Sequence, residues 1–197
     1  MSTQPNIYLS PEEYLALERQ ADEKSEYFDG VVYAMSGASL NHNKIVANVI
    51  AELVQQLRGR PCSALPSDIK VRMPDSRKFF YPDVSVVCGE PQFHDQRNDV
   101  LLNPILIIEV LSESTEGFDR GGKFQAYQRL ESLQEYILIS QNRPVVEQYV
   151  RQSQAIWQYT AAIGLESSLS LPSIECTLNL STVYDKVTET ETDERTN

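Results

Sequence analysis

Ile107-Ile108-Glu109-Val110-Leu111 is the stretch that organises the chain, read with Tyr81-Pro82-Asp83-Val84 before it and with Asp119 and Lys123 after it. It sets one carboxylate inside an apolar run of strand character, and Asp83 stands in a second such run. Buried carboxylates are costly unless a cation or a donor compensates them, so something positive is expected between the two. Outward from it, residues 105–110 read as a strand, and from Asp119 a helix carries Lys123, Tyr127 and Leu130 at i, i+4 and i+7. Residues 136–140 are another strand. A helix between two strands is a crossover, so the strands are parallel and the fold class is α/β.

Upstream, Ser10-Pro11-Glu12-Glu13 spells a capping box and a helix to about residue 23. Residues 25–28 and 31–35 flank Asp29-Gly30, a tight-hairpin signal. Asn41 is placed to cap a helix whose apolar positions Ile45, Val49, Ile50, Leu53 and Leu57 recur at helical spacing, ended by Gly59 and Pro61. A strand over 63–73, a turn at Pro74-Asp75-Ser76-Arg77 and a return strand over 79–88 follow. Residues 89–103 form a long polar excursion containing His94. Residues 145–150 and 155–160 read as a hairpin, and 169–180 as an irregular apolar ending.

The 197 residues, 41% hydrophobic, suit a single domain over 1–186, with an acidic tail at 187–197 too polar to order itself. Apolar runs are far too short for a membrane span and residues 1–10 lack a signal-peptide pattern, so no membrane partner and a cytoplasmic location are expected. Cys62, Cys88 and Cys176 are odd in number and widely spaced, which suggests buried thiols. A formal charge of −11 argues against a generic nucleic-acid coat.

Tyr81, Asp83, Ser85 and Val87 share one strand face, and Ile107, Glu109 and Leu111 share another. If both acids turn inward, they meet within metal-bridging distance. Two carboxylates with water and a phosphate oxygen suit Mg²⁺ or Mn²⁺, whereas zinc would want a His/Cys cluster that is missing.

Pro82-Asp83, Glu109-Val110-Leu111-Ser112, Asp119, Lys123, Tyr127 and Glu135-Tyr136 stand in an order that resembles the Uma2-type restriction endonucleases of the PD-(D/E)XK nuclease superfamily. The likeness extends to Glu26 with Asp29-Gly30 and to Gly37-Ala38-Ser39 with His42. It implies a restriction-endonuclease-like mixed sheet flanked by helices, here preceded by the N-terminal helix and hairpin. It further implies hydrolysis of DNA phosphodiesters, with Asp83 and Glu109 on the metal. That superfamily places a lysine two residues after the acid, where this chain has Leu111. The lysine role passes to Lys123, as in members whose lysine has migrated.

Plainer readings stand beside these. Asp119 reads first as the N-cap of its helix, His42 as a locally bonded histidine and Tyr127 as core, while Glu26 reads equally as a further metal-side acid or a solvated strand residue; each is a second-tier site candidate. Lys70, Arg72, Arg77, Lys78, Arg120 and Arg129 are the cations available to phosphates, and a homodimer would match two antiparallel strands. The alternative function is a non-catalytic nucleic-acid-binding or assembly module. RNA or another phosphate ester is a third reading.

Overall fold

The computed structural model describes residues 8–75 and 77–188; most of the tail expected to be unstructured lies outside the described residues. Helix α1 (Pro11–Glu18) starts as its capping box requires: Ser10 Oγ accepts from the Glu13 N–H at 3.2 Å and Glu13 Oε2 accepts from the Ser10 N–H at 2.8 Å. It ends before residue 23 because Glu18 turns inward to accept the Ser25 N–H at 3.0 Å, where β1 (Ser25–Phe28) begins. Asp29 and Gly30, at φ 48° and 97°, fold β2 (Val31–Ala34) back on β1 as expected.

Helix α2 (Leu40–Leu57) is capped by Ser39, whose Oγ accepts the His42 N–H at 3.1 Å, and not by Asn41, whose amide reaches the Thr188 carbonyl. Its buried stripe is Ile45, Val49, Leu53 and Leu57, as the spacing predicts.

The next two expected strands are each broken in two. Residues 63–73 give β3 (Cys62–Pro66) and β4 (Lys70–Arg72); residues 79–88 give β5 (Lys78–Phe80) and β6 (Val84–Cys88). Both breaks move the chain between sheets. The second falls at Tyr81-Pro82-Asp83, where proline has no N–H to continue the ladder. The short β7 (Val100–Leu101), inside the long excursion, pairs parallel with β4.

Strand β8 (Leu106–Leu111) leads into α3 (Glu116–Phe118), a π-helical turn (Asp119–Lys123) and α4 (Phe124–Tyr127), then to β9 (Glu135–Ser140), parallel to β8 as expected. Strands β10 (Val145–Arg151) and β11 (Trp157–Ile163) form the expected hairpin. Residues 169–180 are ordered rather than irregular: β12 (Ser168–Leu171) and β13 (Cys176–Asn179) pair, and α5 (Leu180–Val183) follows.

The result is a mixed α/β fold with a six-stranded sheet, β11-β10-β9-β8-β6-β3, and a five-stranded sheet, β2-β1-β5-β4-β7. Alternation along β8 divides the interior. Leu106, Ile108 and Val110 pack with α2 and the last hairpin, while Ile107 and Leu111 pack on the opposite face with Phe80, Tyr127, Leu130 and Tyr136. Glu109 falls in phase with the second set and projects into an aromatic core.

The cysteines correct an expectation. Cys62 and Cys88 face each other across β3 and β6 with Cα atoms 4.0 Å apart and form a disulfide, while Cys176 is a buried thiol. Their separation of 26 residues hides the pairing, because β3 and β6 become neighbours only after the chain has crossed to the other sheet and back. No helix among the described residues is long and apolar enough to cross a membrane.

Candidate active site

Four acids and a lysine meet at the ends of β8 and β6. Continuing the β6–β8 register, in which Val84 opposes Ile108, sets Asp83 opposite Glu109. Lys123 reaches Glu109 from the π-helical turn: its Nζ lies 3.3 Å from Glu109 Oε1, 3.0 Å from Glu26 Oε1 and 3.3 Å from Asp119 Oδ1. The Tyr127 hydroxyl donates to the same Glu109 Oε1 at 3.1 Å. Lys123 and Tyr127 therefore do lie on the inward stripe and both meet Glu109.

Asp83 is held separately. Its Oδ2 accepts the Val110 N–H at 2.7 Å and lies 3.2 Å from His42 Nε2. Among the described residues, Lys123 has no ion pair with Asp83, so the lysine bridges to Glu109 and not to both acids. The Asp83 and His42 side chains are 17% and 13% exposed against 4% for Glu109, so the cluster opens to solvent on the Asp83 side.

Three of the plainer readings fail. Asp119 does not cap a helix; it is buried at the start of the π turn, with its carboxylate on Lys123. Glu26 is not a solvated strand residue, since its Oε1 takes both Lys123 and the Tyr81 N–H, at 3.0 Å each. His42 is not merely bonded within its own helix. The Tyr81 and Val110 amides are part of the site too, and no side-chain pattern announces a backbone donor.

Electrostatics follow from three acids around one ammonium. Burial disfavours the charge on Lys123, but Glu109, Glu26 and Asp119 outweigh it and raise its pKa above the ordinary lysine value. Burial pushes the Glu109 carboxyl well above the usual range, against the pull of Lys123 and with the help of Asp119, Asp83 and Glu26. The acids thus favour the charged form of Lys123, and burial disfavours the charged form of Glu109. Burial and Glu109 also raise the Tyr127 hydroxyl, so it stays a donor.

The cluster suits a divalent cation in two respects. The acids outnumber the cations, and the buried Asp119 Oδ1 meets only the shared Lys123 ammonium, as an ion pair at 3.3 Å without a hydrogen bond. In addition, the bonds to Glu109 end on Oε1 and those to Asp83 on Oδ2, which leaves Oε2 and Oδ1 outside the internal network. Among the described residues no three His, Cys, Asp or Glu side chains are arranged to hold an ion. An ion on Asp83 and Glu109 would take its other ligands from water and substrate, as Mg²⁺ commonly does.

The basic residues nominated for phosphate contact are all engaged. Lys70 pairs with Asp99 at 3.6 Å, Arg77 with Asp29 at 3.3 Å, Lys78 with Asp29 at 3.2 Å and Arg129 with Asp75 at 2.9 Å. Arg120 pairs with Glu116 and Glu147, and Arg72 lies 2.5 Å from His94 Nδ1.

A family model, Uma2, described as "Putative restriction endonuclease", matches residues 11–182. Two uncharacterized proteins of Synechocystis sp. PCC 6803 are similar in sequence. One, sll1609, is 40% identical over 156 residues, 79% of this chain and 88% of its own. The other, slr1290, is 38% identical over 180 residues, 89% of this chain and 91% of its own. The crystal structure of a "putative nuclease belonging to DUF820" from Anabaena variabilis superposes with a TM-score of 0.73 at 17% identity, covering 89% of this chain and 97% of that one. At that identity the likeness is one of fold.

Proposed function

The chain belongs to the Uma2 family, and on that premise we propose that it is a metal-dependent nuclease that hydrolyses DNA phosphodiester bonds. The observation that carries this reading is Glu109, buried and held by Lys123 and Tyr127, with Asp83 opposite it at the solvent side. Asp83 and Glu109 would hold Mg²⁺ or Mn²⁺. When bound, such an ion supplies Lewis-acid stabilisation of charge on the phosphate and acidifies water.

The chain's own residues do the positioning. The Val110 N–H and His42 hold Asp83 by one oxygen, and Lys123 and Tyr127 hold Glu109 by one oxygen, so each acid presents the other. Lys123, whose pKa the surrounding acids raise, fixes the acids and adds positive charge behind the phosphate. Two copies about a two-fold axis would bring two such sites to the two strands of a duplex.

A second reading, a non-catalytic nucleic-acid-binding or assembly module, is favoured by the enclosure of Lys123 among three acids and by the −11 charge. The test is nicking of supercoiled plasmid with Mn²⁺, alongside linear, single-stranded and RNA substrates and calorimetric Mn²⁺ titration. Native protein should nick, and Glu109→Ala and Lys123→Ala should each lose roughly 100-fold or more, the scale of removing one preorganised electrostatic group. Asp83→Asn should bind Mn²⁺ more weakly than native. Equal affinity would sink the metal assignment, and no metal-dependent cleavage of any DNA form would leave the module; cleavage of RNA alone would change the substrate.

A further inference from the structure

The chain crosses from the five-stranded sheet to the six-stranded one at Tyr81-Pro82-Asp83, so the placement of Asp83 depends on how that crossing is held. Tyr81 is bonded at both ends. Its main-chain N–H donates to Glu26 Oε1 at 3.0 Å, the oxygen that also meets Lys123. Its hydroxyl donates to Glu18 Oε1 at 2.9 Å, in the buried interior between α1 and the five-stranded sheet. Glu18 is fixed in turn by the Ser25 N–H and hydroxyl, and the Tyr14 hydroxyl donates to the Ser25 carbonyl at 2.5 Å.

Two ammonium groups flank the ring, Lys70 at 5.0 Å and Lys24 at 5.4 Å from its centroid. Lys70 is tied to Asp99, and Lys24 donates to Asp68 at 2.8 Å. Such contacts hold the ring by its faces while the hydroxyl is held at its tip. Proline then fixes φ at the one residue between Tyr81 and Asp83, so a displacement of Tyr81 is passed on with little slack.

We propose that the Tyr81–Glu18 hydrogen bond is a latch that positions Asp83 and Glu26, and that Tyr81 is a positioning residue for the acid cluster. This deepens the metal-dependent reading above and rests on it for its catalytic meaning, though not for its geometry. The latch lies outside the pocket: Glu18, on the N-terminal helix, acts on Asp83 through a ring and a proline.

The Val110 amide reports the outcome directly, because its N–H donates to Asp83 Oδ2 at 2.7 Å. Tyr81→Phe keeps the ring and removes only the hydroxyl. In ¹H–¹⁵N spectra of the full chain, its Val110 amide proton should move upfield. Its hydrogen exchange should rise roughly tenfold or more, the size expected for losing one hydrogen bond to a charged group. Glu18→Gln, which keeps Tyr81 and an acceptor for its hydroxyl, should leave Val110 at the native position. Tyr27→Phe, which removes a hydroxyl bond to the Leu9 carbonyl in the same sheet, should leave Val110 unmoved.

An unmoved Val110 resonance in Tyr81→Phe overturns the latch, and so does an equal shift in Tyr27→Phe. Calorimetry with Mn²⁺ separates the two ideas. A moved Val110 with no Mn²⁺ binding by native protein keeps the latch and removes the metal reading. Mn²⁺ binding by native protein with weaker binding by Tyr81→Phe supports both.

Discussion

Lys123 carries one positive charge against the carboxylates of Glu26, Glu109 and Asp119, and all four groups are largely withdrawn from water. Removing the ammonium while keeping the stem leaves acids facing one another without a counter-charge. Lys123→Met should therefore lower unfolding free energy by about 3–5 kcal/mol, the cost of breaking a buried pair from one side, as read by urea denaturation at neutral pH. A change under about 1 kcal/mol, the size of a surface ion pair, would mean that water enters the cluster freely. Both acids were legible from the sequence because carboxylates inside apolar runs demand compensation. Lys123 was legible only through helical phase. Asp119 was misread because an acid at a presumed helix start looks like a cap, and nothing in Asp119-Arg120-Gly121-Gly122-Lys123 announces a π turn.

The strands divide into those visible in the sequence and those that depend on partners. The β1–β2 hairpin and the parallel β8–β9 pair follow from Asp29-Gly30 and from the crossover. The β12–β13 hairpin was also there to be read, since Ser168-Leu169-Ser170-Leu171 alternates exposed and buried. The breaks at 67–69 and 81–83 were not, because strand periodicity is blind to which sheet a segment joins. The same blindness hid the disulfide between β3 and β6. That bridge closes a loop spanning 26 residues and should contribute about 3 kcal/mol by restricting the unfolded chain. The double variant Cys62→Ser/Cys88→Ser should lose that amount against the oxidised protein in urea denaturation. Identical midpoints would mean that the thiols stay unbridged in solution.

As a whole the molecule is acidic, and five of the six cations nominated for phosphate contact pair with its own acids. Six free cations on phosphates would give a log–log salt slope near about −5 for duplex binding. Here Lys70, Arg77, Lys78, Arg120 and Arg129 sit on carboxylates, so each phosphate contact must first release an internal partner. Binding to a DNA duplex with Ca²⁺ in place of Mn²⁺ should accordingly show a slope shallower than about −3, measured by fluorescence anisotropy from low to moderate salt. A steeper slope would require a basic face that these ion pairs conceal. Composition foretold this much: a charge of −11 leaves little to bind a polyanion except a bridging metal.

The π-helical turn makes the spacing of the site a matter of chain length as well as residue type. Five residues, two of them glycine, carry the chain from Asp119 to Lys123 in a wider coil than an α-helix has. Deleting one glycine would let the segment close into an ordinary helix and turn the Asp119–Lys123 pair from i, i+4 into i, i+3, changing the rise and rotation between them. Lys123 would swing away from Glu109 with no residue type altered. A relative that retains each acid and the lysine, yet is shorter by one residue here, would lack the same arrangement.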